Sequence, residues 1–92
     1  MPRMATGDSR PEFDFGSPVP LYAQAADYVA GLIESGAMAT GTKLPAERDL
    51  ADSWGVAYGT VRRMTQELRE RGLIVTVQGK GTFVAQSPAD KR

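Results

Sequence analysis

The 92-residue sequence has no cysteine, no histidine, a single tryptophan and no net charge. Without cysteine there can be no disulfide framework, iron–sulfur centre or zinc finger. Without histidine the commonest general base and a usual zinc ligand are gone, leaving only carboxylate or backbone metal sites. Long apolar runs are also missing: none approaches the roughly 20 residues that a membrane span requires. The opening stretch MPRMATGDSRPEF lacks the apolar core of a signal peptide, so export is not expected. What remains, at 41% hydrophobic and 24% charged residues, is the composition of an ordinary globular domain. These absences describe a small cytoplasmic binding module, one domain at most, with no membrane, metal or cofactor and no enzymatic activity.

The zero net charge conceals a strong asymmetry. Residues 1–54 carry four basic and eight acidic side chains, whereas residues 55–92 carry seven basic and three acidic ones. An anionic partner is expected for the C-terminal portion.

Residues 1–18 hold three of the six prolines and no apolar periodicity, which reads as a flexible N-terminal arm. Phe13 and Phe15 are its exceptions and are candidates for docking. Residues 19–86 read as one folded domain, and residues 87–92 as a disordered tail or the stub of a linker. Between Pro20 and Gly36, Leu21, Ala25, Tyr28/Val29 and Leu32/Ile33 recur at helical spacing, predicting an amphipathic helix. Pro20 suits a first turn and Gly36 a helix end.

A turn and a short extended piece follow over residues 39–45. A second helix is predicted from about Ala46 to Trp54, burying Leu50, Ala51 and Trp54 and broken by Gly55. Val56 should point inward between helices. A third helix from about Ala57 to Arg71 buries Val61, Met64 and Leu68 and ends at Gly72. The period then changes: the β-branched run Leu73–Val77, turn chemistry in Gln78-Gly79-Lys80-Gly81, and a return over Thr82–Ala85 predict a hairpin. The expected fold is mainly α with a small β-hairpin wing, a three-helix winged helix-turn-helix.

Such a fold reads double-stranded DNA when the N-terminus of its third helix presents small, polar or basic side chains to the major groove. Ala57, Tyr58, Gly59, Thr60, Arg62 and Arg63 occupy those positions here. Arginine can grip guanine O6 and N7 in a bidentate manner, and threonine can meet a phosphate or a base edge. Gly59 sacrifices up to about 1 kcal/mol of helix propensity. Close approach to a duplex would account for it, and so would tight helix packing. Arg62 and Arg63 are equally readable as a solvated basic face pairing with Glu67. At the hairpin tip, Gly79 and Gly81 let the backbone approach a phosphate while Lys80 reaches a groove or backbone oxygen. An ordinary turn with a solubilising lysine has the same composition. Arg48 lies where the second helix would cross the DNA backbone, with an ion pair to Glu47, Asp49 or Asp52 as its alternative. The Gly-Lys-Gly run is not a nucleotide loop, because the full GxxxxGK[ST] pattern is absent.

Pro20-Leu21-Tyr22-x-Gln24, Gly41-x-Lys43-Leu44-Pro45-x-Glu47-Arg48-x-Leu50-Ala51, Gly55-Val56 and Thr60-Val61-Arg62 stand in this order, followed by Glu70-x-Gly72-Leu73-Ile74 and Gln78-Gly79-Lys80-Gly81-Thr82-Phe83-Val84. Over about residues 19–85 this pattern resembles the winged helix-turn-helix of the GntR family of bacterial transcription regulators. The resemblance implies that Arg48 touches the phosphate backbone or a base, and that Thr60 and Arg62 act in the major groove. It further implies that Gly79 and Lys80 enter the minor groove and that Tyr22 is a backbone contact. Family members usually bind near-palindromic operators as homodimers and mostly repress.

The chain departs from the family in two respects. Ala57-Tyr58 stands where the family often has Ser-Arg, removing a helix cap worth about 1 kcal/mol and a DNA-contacting arginine for which Tyr58 and Arg63 could compensate. The family also carries an effector-binding domain after the wing, whereas seven residues follow Ala85. The chain is accordingly either a DNA-binding portion or a small stand-alone regulator, and no effector ligand is inferable. A reading of a different class is a winged-helix protein–protein module that recruits a partner through Asp27, Glu34, Asp49 and Asp52. An enzyme ranks last, since no carboxylate pair stands with a nucleophile or base.

Overall fold

The computed structural model describes residues 10–85. The expected tail, residues 87–92, and the first nine residues of the expected arm lie outside them.

Three helices and a hairpin form in the predicted order: α1 (Leu21–Glu34), α2 (Glu47–Trp54), α3 (Tyr58–Glu70), β1 (Ile74–Val77) and β2 (Gly81–Val84). Helix α1 begins directly after Pro20, whose carbonyl accepts from the amides of Ala23 and Gln24. Its small and branched residues Ala25, Ala26, Val29, Ala30 and Ile33 fall on one buried stripe, as the 3.6-residue period dictates. Helix α2 buries Leu50, Ala51 and Trp54. It stops at Gly55, whose φ of 70° is left-handed, a conformation that costs glycine nothing. The tight turn Gly55-Val56-Ala57 then swings the chain into α3, with the Val56 amide donating to the Ala51 carbonyl. Val56 packs partly buried against the core.

Helix α3 turns Val61, Met64, Thr65 and Leu68 inward. Thr65 is the buried polar exception, and its hydroxyl donates to the Val61 carbonyl at 2.9 Å, so its burial leaves no unmet hydrogen bond. No side chain caps α3: Ala57 stands at the cap position and offers none. Trp54, Leu50, Met64, Leu68, Val29 and Val61 are the largest fully buried side chains and lock the three helices together.

The strands pair antiparallel, Ile74 opposite Val84 and Val77 opposite Gly81. The short extended piece before α2 joins them. The Gly41 amide donates to the Val84 carbonyl, that of Val84 to Thr42, and that of Leu44 to Thr82, each at 2.8 Å. Residues 41–44 thereby pin the wing to the helix-turn-helix.

One expectation needs correcting. Residues 10–18 carry no helix or strand, yet they are not a free arm. Pro11 is buried, and Phe13 sets its ring edge-on to Trp54 with centroids 6.4 Å apart. The Gln24 side-chain amide accepts from the Asp14 amide at 2.9 Å and donates to the carbonyls of Asp14 and Val19. Arg10 donates to the Trp54 carbonyl at 3.4 Å. Covering the single tryptophan offsets the entropy lost in ordering the segment, a loss its prolines already reduce. Phe15 does not dock and is 75% exposed.

Candidate nucleic-acid interface

The first turn of α3 and the first turn of α2 meet at one surface. There the Arg48 guanidinium lies over the Tyr58 ring, 4.5 Å from its centroid, and Arg62 approaches the same ring at 6.0 Å. The Tyr58 hydroxyl reaches the Glu47 carboxylate through a long hydrogen bond of 3.5 Å. Arg63 makes a parallel arrangement on the other flank of α3. Its guanidinium lies 4.7 Å from the Tyr22 ring centroid and donates to the Tyr22 hydroxyl at 3.4 Å. Tyr22 sits in the first turn of α1, so this contact spans 41 residues of sequence. The hydrogen bond to Tyr22 is the main influence raising the Arg63 pKa above its ordinary value.

Neither alternative pairing considered for these arginines forms. Among the described residues the ion pairs are those of Arg71, with Asp27 at 3.0 Å and with Glu67 at 3.1 Å. Glu67 is thus taken by Arg71, and Arg48, Arg62 and Arg63 rest on tyrosine rings. A cation held over an aromatic face retains its full charge. Arg71 belongs to the framework instead, its pKa raised by hydrogen bonds to Asp27 and Glu67.

Gly59 is exposed, and a Cβ built on it would meet nothing within 4 Å. Packing within the domain therefore does not account for this glycine. Thr60 is half-buried beside it. Arg62, Arg63, Gly59, Gln66, Arg69 and Glu47 line one shallow depression on the outer face of α3.

Gly79, Lys80 and Gly81 form the hairpin tip as expected, closed by a hydrogen bond from the Lys80 amide to the Val77 carbonyl. Gly79 adopts a φ of 79°, and the exposed Lys80 enters no ion pair among the described residues.

Two basic residues at this surface were not anticipated from the sequence. Arg69 donates to the Thr76 hydroxyl at 3.4 Å, joining α3 to the wing. It lies seven residues beyond Arg62, two turns along the same helical face, and that spacing was readable. Lys43 lays its side chain against Gly81, where an added Cβ would fall 2.7 Å from Lys43 Cε. No local pattern could have placed it, because its position depends on the pairing of residues 41–44 with β2.

The surface so built has a fixed cationic face on α2 and α3, a glycine gap between, and a lysine-tipped hairpin beside it. Among the described residues no helix is long and apolar enough to cross a membrane.

Comparison with known proteins agrees with this geometry. The family model for bacterial regulatory proteins of the gntR family matches residues 21–84. The chain is 41% identical over 69 residues to the HTH-type transcriptional regulator SmoD of Agrobacterium fabrum, a match covering 75% of this chain and 30% of that protein. It is 39% identical over 69 residues to the histidine utilization repressor of Pseudomonas aeruginosa, covering 75% and 28%. The structure of AraR(DBD) in complex with operator ORX1 superposes with a TM-score of 0.71 at 34% identity, covering 83% of this chain and 98% of that one. The chain thus has the winged helix-turn-helix fold and spans about three tenths of the length of the curated relatives it matches.

Proposed function

The chain belongs to the GntR family of bacterial regulatory proteins, and from that premise we propose that it binds double-stranded DNA sequence-specifically to regulate transcription. The observation that carries this reading is the set of three arginines held on tyrosine rings, with no carboxylate partner among the described residues. Helix α3 enters the major groove, where Tyr58, Gly59, Thr60, Arg62 and Arg63 face the base edges and flanking phosphates. Arg48 and Tyr22 meet the DNA backbone, and the wing tip, Gly79-Lys80-Gly81, lies at the minor groove. The likeness to a repressor and to an operator-bound domain supports repression at an operator.

A single winged helix contacts only a few base pairs, too few to stand out in a genome. The chain therefore acts as a homodimer on a near-palindromic site. It performs no catalysis, binds no cofactor for this task and works in the cytoplasm. In the alternative, a protein-recruiting surface on the acidic half, Asp27 is shared with Arg71 while Glu34, Asp49 and Asp52 enter no ion pair among the described residues.

Selection of bound sequences from a random duplex library tests the proposal. Two inverted half-sites about one helical turn apart are expected. Recovery of no enriched sequence would refute it. Sedimentation with and without the recovered duplex reports the dimer.

A further inference from the structure

Tyr58 is the aromatic residue at the start of α3, and it stands outside the hydrophobic core. The residue is 37% exposed. Its hydroxyl is drawn aside toward Glu47 on α2, and Arg48 lies over the ring. With the hydroxyl engaged by Glu47, the carbon ring is what Tyr58 has left to offer a partner, with Arg62 6.0 Å from its centroid. Next along the chain, Gly59 has no side chain, and a Cβ built on it would meet nothing within 4 Å. Arg48 lies over the ring, and Gly59 adds no bulk that would keep a base edge from the part of Tyr58 that remains exposed.

In the major groove the four bases present donors, acceptors and one apolar group, the C5 methyl of thymine. An apolar carbon surface has no other partner there. We propose that Tyr58 reads the methyl group of a thymine, at a base step where the neighbouring Arg62 reads a guanine. This inference rests on the DNA-binding reading above and assigns its base preference.

Tyr58 is then more than a support for Arg48 and Arg62. The two roles separate cleanly, because a ring that only supports the arginines is indifferent to the methyl group. The chemistry also explains why tyrosine is tolerated at a position suited to a base-reading cation: it exchanges a hydrogen-bonded guanine contact for an apolar thymine contact.

The test replaces each thymine of the selected duplex by uracil, one position at a time, and measures affinity for the native chain, Tyr58→Phe and Tyr58→Ala. Uracil lacks only the methyl group, so base pairing and charge are unchanged. One thymine per half-site should prove sensitive, with a loss of about fourfold, the transfer free energy of one buried methyl. Tyr58→Phe should retain that sensitivity. Tyr58→Ala should bind more weakly yet no longer distinguish thymine from uracil.

Specific binding that ignores uracil at every position would overturn the inference and leave the DNA-binding reading standing. Sensitivity that persists in Tyr58→Ala would also overturn it, by assigning the methyl contact to another residue. Failure of the native chain to bind any duplex would overturn the DNA-binding reading itself and this inference with it.

Discussion

The Arg48 guanidinium and the Tyr58 ring, separated by 4.5 Å, join the first turns of α2 and α3. An exposed contact of this kind contributes about 0.5–1 kcal/mol, enough to bias a rotamer and little more. Its value lies in what it avoids. A carboxylate would orient Arg48 as well but would cancel the charge that an anionic partner needs. Aromatic support orients the cation and leaves that charge available, and the Tyr22–Arg63 contact repeats the device.

Gly59→Ala should separate stability from binding. The added methyl meets nothing within 4 Å, so the helix should gain up to about 1 kcal/mol from improved propensity. The same methyl would obstruct a duplex. Thermal melting should therefore rise while DNA affinity falls in a gel shift.

Arg62→Ala should weaken binding to the selected site by about 1–3 kcal/mol and relax the preference at one base pair of each half-site. Lys80→Ala should act differently. Its loss should be uniform across sequences and should lower the slope of log affinity against log salt by about one per protomer. Titrations of native and variant chains at several salt concentrations distinguish the two.

Arg71→Ala serves as the contrast. Its ion pairs with Asp27 and Glu67 lie at the surface, partly exposed, so the loss should be about 0.2–1 kcal/mol of folding stability. Sequence preference should not change. Denaturant unfolding and a competition gel shift measure these separately.

Phe13→Ala should cost about 1–2 kcal/mol of stability, less than the 3–5 of a fully buried aromatic, because its ring is only half covered where it meets Trp54. Phe15→Ala should change little, since that ring projects into solvent. Paired thermal melts compare them.

Helices and hairpin were legible because local patterns determine them: the stripe Ala25–Val29–Ile33, the stop at Gly55 and the β-branched run after Gly72 are each written in a few neighbouring residues. The candidate interface was legible as a set of residues but not as an arrangement. Tyr22 and Arg63 are 41 residues apart, and nothing near either one signals the other. The choice between ion pairing and free charge was likewise not legible: Glu67, the alternative partner of Arg62 and Arg63, pairs with Arg71, and Arg48 pairs with none of Glu47, Asp49 and Asp52. The docked segment 10–18 was misread for a related reason. Proline, glycine and scattered charge favour a free chain; Phe13 stands out as a docking candidate, but its partner Trp54 and the ties from Gln24 to Asp14 and Val19 lie outside the segment's own pattern.

The most direct measurement is a backbone-amide NMR titration of the chain with a duplex recovered by selection. Shifts concentrated at residues 58–63, around Arg48 and Tyr22, and at the wing tip 79–81 are the predicted result. Shifts concentrated instead around Glu34 and Asp52, or none at all, would contradict the assignment of the tyrosine-supported arginines as the DNA-binding face.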